Sequence, residues 1–228
     1  MLALFDIDGT LILTGGAGIR ALDRACFELL GLAQGMSGVA ADGKTDPIII
    51  DEIFRTKMGR SATAQEIDAV IEKYVGYLAE EVAATDRYRV MPGVEGALAV
   101  LEGAGAVVGL ATGNVRRGAQ IKLERGDLWR RFAFGGYACD AADRTRLVAR
   151  GIERGHAHAG RAFEPDETWV IGDTPRDVAA AHGCGVKAIG VATGPHRADA
   201  LREAGADLVW ETLEELPGWM ERAAASLT

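Results

Sequence analysis

From residue 88 onward, short apolar runs alternate with stretches in which apolar residues return every three or four positions, the pattern of a parallel sheet wrapped by helices. The spacing predicts strands over 106–111, 132–137, 168–172, 186–191 and 208–210. Between them it predicts helices over 94–102, 115–125, 145–158 and 175–182. Residues 19–85 read differently, as helix throughout: Ile19, Leu22, Cys26 and Leu29 recur at helical spacing, as do Ile67, Val70, Ile71, Tyr74 and Leu78. Thr63 with Glu66 three positions on is a capping-box start for the second of these runs. A first strand over residues 2–7 has no strand partner before residue 88, so it joins the later sheet and the helical block is an insertion. Residues 1–15 and 88–228 therefore form an α/β core, Rossmann-like in its alternation, and 16–87 an all-helical unit reached by two connections, a geometry suited to a lid. One connection, Thr14-Gly15-Gly16-Ala17-Gly18, lacks the Lys-Ser/Thr of a phosphate-binding P-loop and the GxGxxG of a dinucleotide fold, and reads as a hinge.

The polar residues that end the apolar runs carry the chemistry. Asp6 and Asp8 leave the first strand one residue apart in Asp6-Ile7-Asp8-Gly9-Thr10, so strand alternation turns both to one side and Ile7 to the other. Two such carboxylates repel unless a cation or a shared proton resolves them. The run at 107–111 ends in Thr112-Gly113-Asn114, and the run at 169–172 ends in Asp173-Thr174-Pro175-Arg176-Asp177. In an open parallel sheet such strand ends gather ligands together. Thr112-Gly113-Asn114 serves either as an anion cradle at a helix start or as a plain turn with Asn114 as N-cap, and Asp177 either as a ligand or as an acid in the first turn of a helix.

In this order and context, DIDGT, TGN, a basic residue and GDTPRD resemble the haloacid dehalogenase-like superfamily, specifically its phosphatases with a small helical cap, and the resemblance spans nearly the whole chain. It implies a Mg2+-dependent phosphatase acting on a small phosphorylated metabolite, phosphoglycolate or another phosphate monoester. It implies Asp6 as the nucleophile that becomes an aspartyl phosphate, and Asp8 as the general acid and base. Thr112, Gly113 and Asn114 would bind phosphate, while Asp6, Asp8 through its backbone carbonyl, Asp173 and Asp177 would hold the metal. The family's usual Lys after the TGN-like motif is missing. Lys122 lies too near Thr112, in what reads as a surface helix, so Arg144 takes the role with Arg146 in reserve. In the insertion, Lys44 is a candidate for a second anionic group of the substrate or a plain loop residue, and Arg20 is a weaker candidate of the same kind. The same superfamily contains phosphomutases and phosphonate hydrolases, and phospho-Asp receiver modules share the Asp, Thr and basic residue pattern.

Composition narrows the setting. A net charge of -8 argues against nucleic acid and anionic membrane as partners, and leaves the oligomeric state open. Cys26, Cys139 and Cys184 show neither a metal-ligand nor a disulfide pattern, and no apolar run approaches spanning length, so a cytoplasmic location is expected.

Overall fold

The computed structural model describes residues 1–225. Its central sheet has six parallel strands in the order β5-β4-β1-β6-β7-β8, formed by β1 (Leu2–Phe5), β4 (Val107–Ala111), β5 (Gly135–Gly136), β6 (Thr168–Gly172), β7 (Lys187–Val191) and β8 (Leu208–Trp210). A second, two-stranded antiparallel ribbon joins β2 (Ile12–Leu13) to β3 (Arg89–Val90). Helices α4 (Val94–Gly103), α5 (Arg116–Glu124), α6 (Arg144–Ala159), α7 (Pro175–Gly183), α8 (Ala198–Glu203) and α9 (Leu216–Ala225) accompany the sheet.

β1 is buried along its whole length because it pairs on both sides, Leu2–Phe5 aligning with 107–110 of β4 and 168–171 of β6. Its side chains alternate between two cores, as strand geometry requires: Ala3, Phe5 and Ile7 pack with α4 residues such as Leu98 and Leu101, whereas Leu2 and Leu4 pack with Leu147 and Val148 of α6. The strands that follow β1 fall on its two sides, β4 and β5 in one half of the sheet and β6, β7 and β8 in the other, which opens a crevice at the tip of β1.

Helices α1 (Ala17–Leu30), α2 (Asp46–Met58) and α3 (Ala64–Ala84) pack around a separate apolar cluster that includes Leu22, Ile50, Phe54, Tyr74 and Leu78. The α3 start is a capping box, with Thr63 and Glu66 bonded reciprocally. The buried face of α1 matches the expected one in part: Leu22 and Cys26 are buried, Ile19 and Leu29 are exposed, and Ala17, Ala21 and Ala25 complete the face with small side chains that let the helix lie close against α3. The two connections to this helical unit touch. Gly15 and Gly16 both have positive φ (60° and 84°), and a Cβ at Gly15 would collide with the Cβ of Arg87 on the returning connection.

The strand expected over 132–137 contracts to Gly135–Gly136. Phe132 turns its ring into the core against Phe5, and Gly136 lies directly against the backbone of Leu147. Periodicity does not predict the ribbon β2/β3 or helices α8 and α9, which are too short or too irregular for it to register. Among the described residues no helix is long and apolar enough to cross a membrane.

Candidate active site

Asp6 continues the β1 ladder by one bond, its backbone N–H donating to Ile171 O at 2.9 Å, and this sets its carboxylate at the sheet's carboxyl edge. Asp173 leaves the adjacent strand β6, and Asp177 occupies the first turn of α7. One carboxylate oxygen from each of Asp6, Asp173 and Asp177 lies within 4.8 Å of the others, all three side chains being buried. Asp173 Oδ1 accepts the Thr10 hydroxyl at 3.1 Å, but Oδ2 is buried and receives no hydrogen bond. Gly9 (φ 89°) and Gly194 crowd that carboxylate so closely that a Cβ at either would collide with it. A buried acceptor left in this state costs about 1–3 kcal/mol. An all-oxygen acidic cluster with one orphaned oxygen fits a hard divalent cation such as Mg2+, which Asp6, Asp173 and Asp177 would hold.

Burial pushes the Asp6 carboxyl up to about 7, with Arg144 opposing the rise and Asp177 and Asp8 adding to it. Burial likewise pushes Asp173 up to about 9, reinforced by the negative charge of Asp6 and Asp177. Because both folded values lie above the ordinary carboxylate range, their contribution to stability is full below about pH 4 and is lost as pH rises through 7 and then 9. The protein in EDTA is therefore expected to melt at progressively lower temperature from pH 5 to pH 9. Mg2+ should raise the melting temperature more at pH 9 than at pH 5, since ligation needs the ionised form. A Mg2+ increment that is equal across this range would remove Asp6 and Asp173 as the linked groups.

Arg144, the first residue of α6, reaches the same centre. Its Nη2 lies 3.0 Å from Asp6 Oδ1, and its Nε donates to Asp177 Oδ1 at 3.1 Å, where Nη2 also bonds. The other oxygen of Asp177 accepts the Thr174 N–H (3.0 Å) and hydroxyl (2.7 Å), closing the capping box of α7. Both oxygens of Asp177 are thus engaged, one by Arg144 and the other by the start of its own helix. Arg146, two residues on in the same first turn, is exposed, and its backbone N–H is taken by the N-cap Asp143 at 2.9 Å.

Asp8 is held from the core side by two residues. Asn114 Nδ2 donates to its Oδ2 at 2.8 Å, and Lys122 Nζ contacts Oδ2 at 2.7 Å and Oδ1 at 2.9 Å while also donating to Asn114 Oδ1 at 2.6 Å. Lys122 is therefore no surface residue. It is 5% exposed and faces the cavity from α5. No short motif marks it in the sequence; the available signal is its helical spacing from Ala119, which puts it on the buried face of α5. Thr112 is fully buried behind Asn114, whose N–H (3.3 Å) and Nδ2 (2.8 Å) both donate to its Oγ1. The Asn114 amide is thus committed to Thr112. Asn114 is not the N-cap of α5 either. That position is Val115, whose N–H donates at 2.8 Å to the carboxylate of Asp46 from the helical unit.

The loop 43–46 presses the helical unit onto this centre. Gly113 O accepts the Asp46 N–H at 2.8 Å, Ala142 O accepts the Thr45 hydroxyl at 2.9 Å, and Gly43 O accepts Arg144 Nη1 at 3.2 Å. A Cβ at Gly113 would collide with Lys44 O, so this approach needs a glycine there. Lys44 lines the resulting cavity of about 210 Å3, with its ammonium ion-paired to Glu52. Arg20 does not enter the site. It is half-exposed, donating to Glu81 at 2.7 Å and to Gly15 O at 2.9 Å, so it braces the hinge.

The chain has counterparts among known proteins. A probable phosphatase, IndB, of Dickeya dadantii (strain 3937) is 28% identical over 218 residues, 95% of this chain and 92% of that protein. A phosphoglycolate phosphatase of Haemophilus influenzae is 23% identical over 219 residues, 93% of this chain and 94% of that protein. The crystal structure of a hydrolase from Pseudomonas syringae shares the fold with a TM-score of 0.73 at 22% identity, covering 97% of this chain and 98% of that one. The family model described as haloacid dehalogenase-like hydrolase matches residues 3–191, and the chain belongs to that family.

Proposed function

We propose that this protein is a Mg2+-dependent phosphatase that hydrolyses a small phosphate monoester through an aspartyl phosphate on Asp6, under a mobile helical cap formed by residues 16–87. The observation that carries this reading is the convergence of Asp6, Arg144 and the acidic pair Asp173 and Asp177 at one strand edge, with Asp8 anchored beside them. Bound Mg2+ would neutralise the phosphoryl oxygens and the acidic cluster. Arg144 occupies Oδ1 of Asp6, which leaves Oδ2 to attack phosphorus. The bond from phosphorus to the leaving oxygen breaks as that oxygen takes a proton from Asp8. Water then attacks the phosphorus of the acyl phosphate and gives its proton to Asp8, releasing phosphate and restoring the Asp6 carboxylate. Lys122 and Asn114 orient Asp8 for both transfers. The loop 43–46 closes the cavity during the first step, and the positive-φ pair Gly15 and Gly16 gives the connection freedom to open it afterwards.

The relatives named as phosphatases support this reading. Lys44, ion-paired with Glu52, is poorly suited to act as an amine nucleophile, which favours hydrolysis of phosphate over phosphonate chemistry. The test is phosphate release from a panel of monoesters with Mg2+ and with EDTA. Mg2+-dependent turnover supports the reading, and its absence from a folded, Mg2+-binding protein moves the assignment to a phosphomutase or a phospho-Asp switch. Lys122→Met is expected to lower kcat by about tenfold to 100-fold with little change in KM, a part of the roughly 10²–10⁴ that general acid and base catalysis supplies. A change in KM alone would mean that Lys122 contacts the substrate rather than Asp8.

A further inference from the structure

We propose that the leaving group is an uncharged alcohol carrying a compact apolar or ring body, and not an acid; this rests on the phosphatase reading above. Three cations line the cavity, and each already holds a carboxylate. Arg144 is committed to Asp6 and Asp177, and Lys122 to Asp8. Both face the reacting centre, so on the cap side only Lys44 remains, and Glu52 neutralises it from α2. Asp42 and Asp46 add two more acids to the same wall. Inside this cavity a second anionic group on the substrate would therefore meet a net negative surface with no uncommitted cation among the described residues that line it, a costly arrangement in a closed, poorly solvated site.

The rest of the wall is built for something neutral. Ile19, Leu22, Met36, Ile49 and Pro195 face the cavity, which explains why Ile19 stays off the α1 core at 49% exposure. Tyr74 also lines it and makes no side-chain hydrogen bond among the described residues, and burial pushes its phenol up so that it remains a neutral donor and acceptor. An apolar wall with uncommitted hydroxyls on Tyr74 and Thr14 recognises an apolar or aromatic body bearing a neutral polar group. At about 210 Å3 the cavity is smaller than the ~300 Å3 low end of small-molecule sites, which limits that body to about one ring.

The experiment compares isosteric pairs that differ only in charge: 3-carbamoylphenyl phosphate against 3-carboxyphenyl phosphate, and phosphoglycolamide against phosphoglycolate. In the wild-type protein with Mg2+, kcat/KM for each amide is expected to exceed that of its acid by at least about tenfold, the factor that one unit of about 1.4 kcal/mol supplies. Glu52→Gln, checked for folding by circular dichroism, should narrow that ratio at least about threefold by releasing Lys44. Acids turned over as well as or better than their amides would overturn the inference while leaving the phosphatase reading intact. A ratio that Glu52→Gln leaves unmoved would remove Lys44 neutralisation as its cause. Release from none of the four would take away the phosphatase reading and this inference with it.

Discussion

Asp6→Asn is expected to lower phosphate release by about 10⁴-fold or more while leaving the protein as stable as the wild type or more so. The two halves of this expectation come from one fact. Burial, with smaller contributions from Asp177 and Asp8, pushes the Asp6 carboxyl up to about 7 against the pull of Arg144, so the ionised form that the proposed attack requires is also the form that strains the fold. An amide of the same shape removes the strain together with the nucleophile. Arg144 keeps an anionic partner in Asp177, so no buried cation is stranded. Single-turnover phosphate release and a thermal melt in EDTA at pH 8 check both halves. Loss of activity accompanied by a fall in melting temperature would instead describe a structural carboxylate. A variant that retained more than about 1% of wild-type turnover would exclude Asp6 as nucleophile.

The parts of this molecule that are legible in the sequence are those encoded by local pattern. The run at 168–172 forms β6 over the same residues because an internal parallel strand is apolar on both faces and stands out from its surroundings. The Thr63 and Glu66 capping box lies within four consecutive residues, so its two partners are fixed by spacing alone. The convergence of Asp6 and Asp173 follows from strand ends sharing one edge of a parallel sheet, a rule that needs no knowledge of the tertiary packing, whereas Arg144 is legible only through the family resemblance. What stays hidden depends on partners far away in sequence. Lys122 looks like any basic residue on an amphipathic helix until Asp8, 114 positions earlier, is placed over it. Asp46 reads as the opening acid of its own helix, which it is, yet its carboxylate serves the amino end of α5 in the other unit, 69 residues on. Ile19 has a place in the periodic pattern of α1 and nonetheless faces a cavity, because the alanines beside it suffice to pack the helix.

Arg144 binds three things at once, and its replacements should separate them. It touches Asp6 and Asp177 in the catalytic cluster and Gly43 O in the cap loop, with a side chain only 10% exposed. Arg144→Ala removes one partner from a buried ionic cluster and leaves Asp6 and Asp177 facing each other uncompensated, a change that typically costs about 3–5 kcal/mol. Activity should fall by about 10³-fold, because the carboxylate meant to attack then gives up its charge more readily. Arg144→Lys is the informative variant. An ammonium supplies charge to Asp6 and Asp177 but lacks the planar fork that reaches Gly43 O as well. Most of kcat is then expected to return while KM stays raised several-fold, since the hydrogen bond to Gly43 O is the one that ties cap closure to the charged centre. Steady-state kinetics on one neutral monoester decide the matter. Recovery of both constants would show that the bond to Gly43 contributes nothing, and recovery of neither would mean that the guanidinium itself contacts the phosphoryl group, a task that a point charge at the end of a flexible chain performs less well.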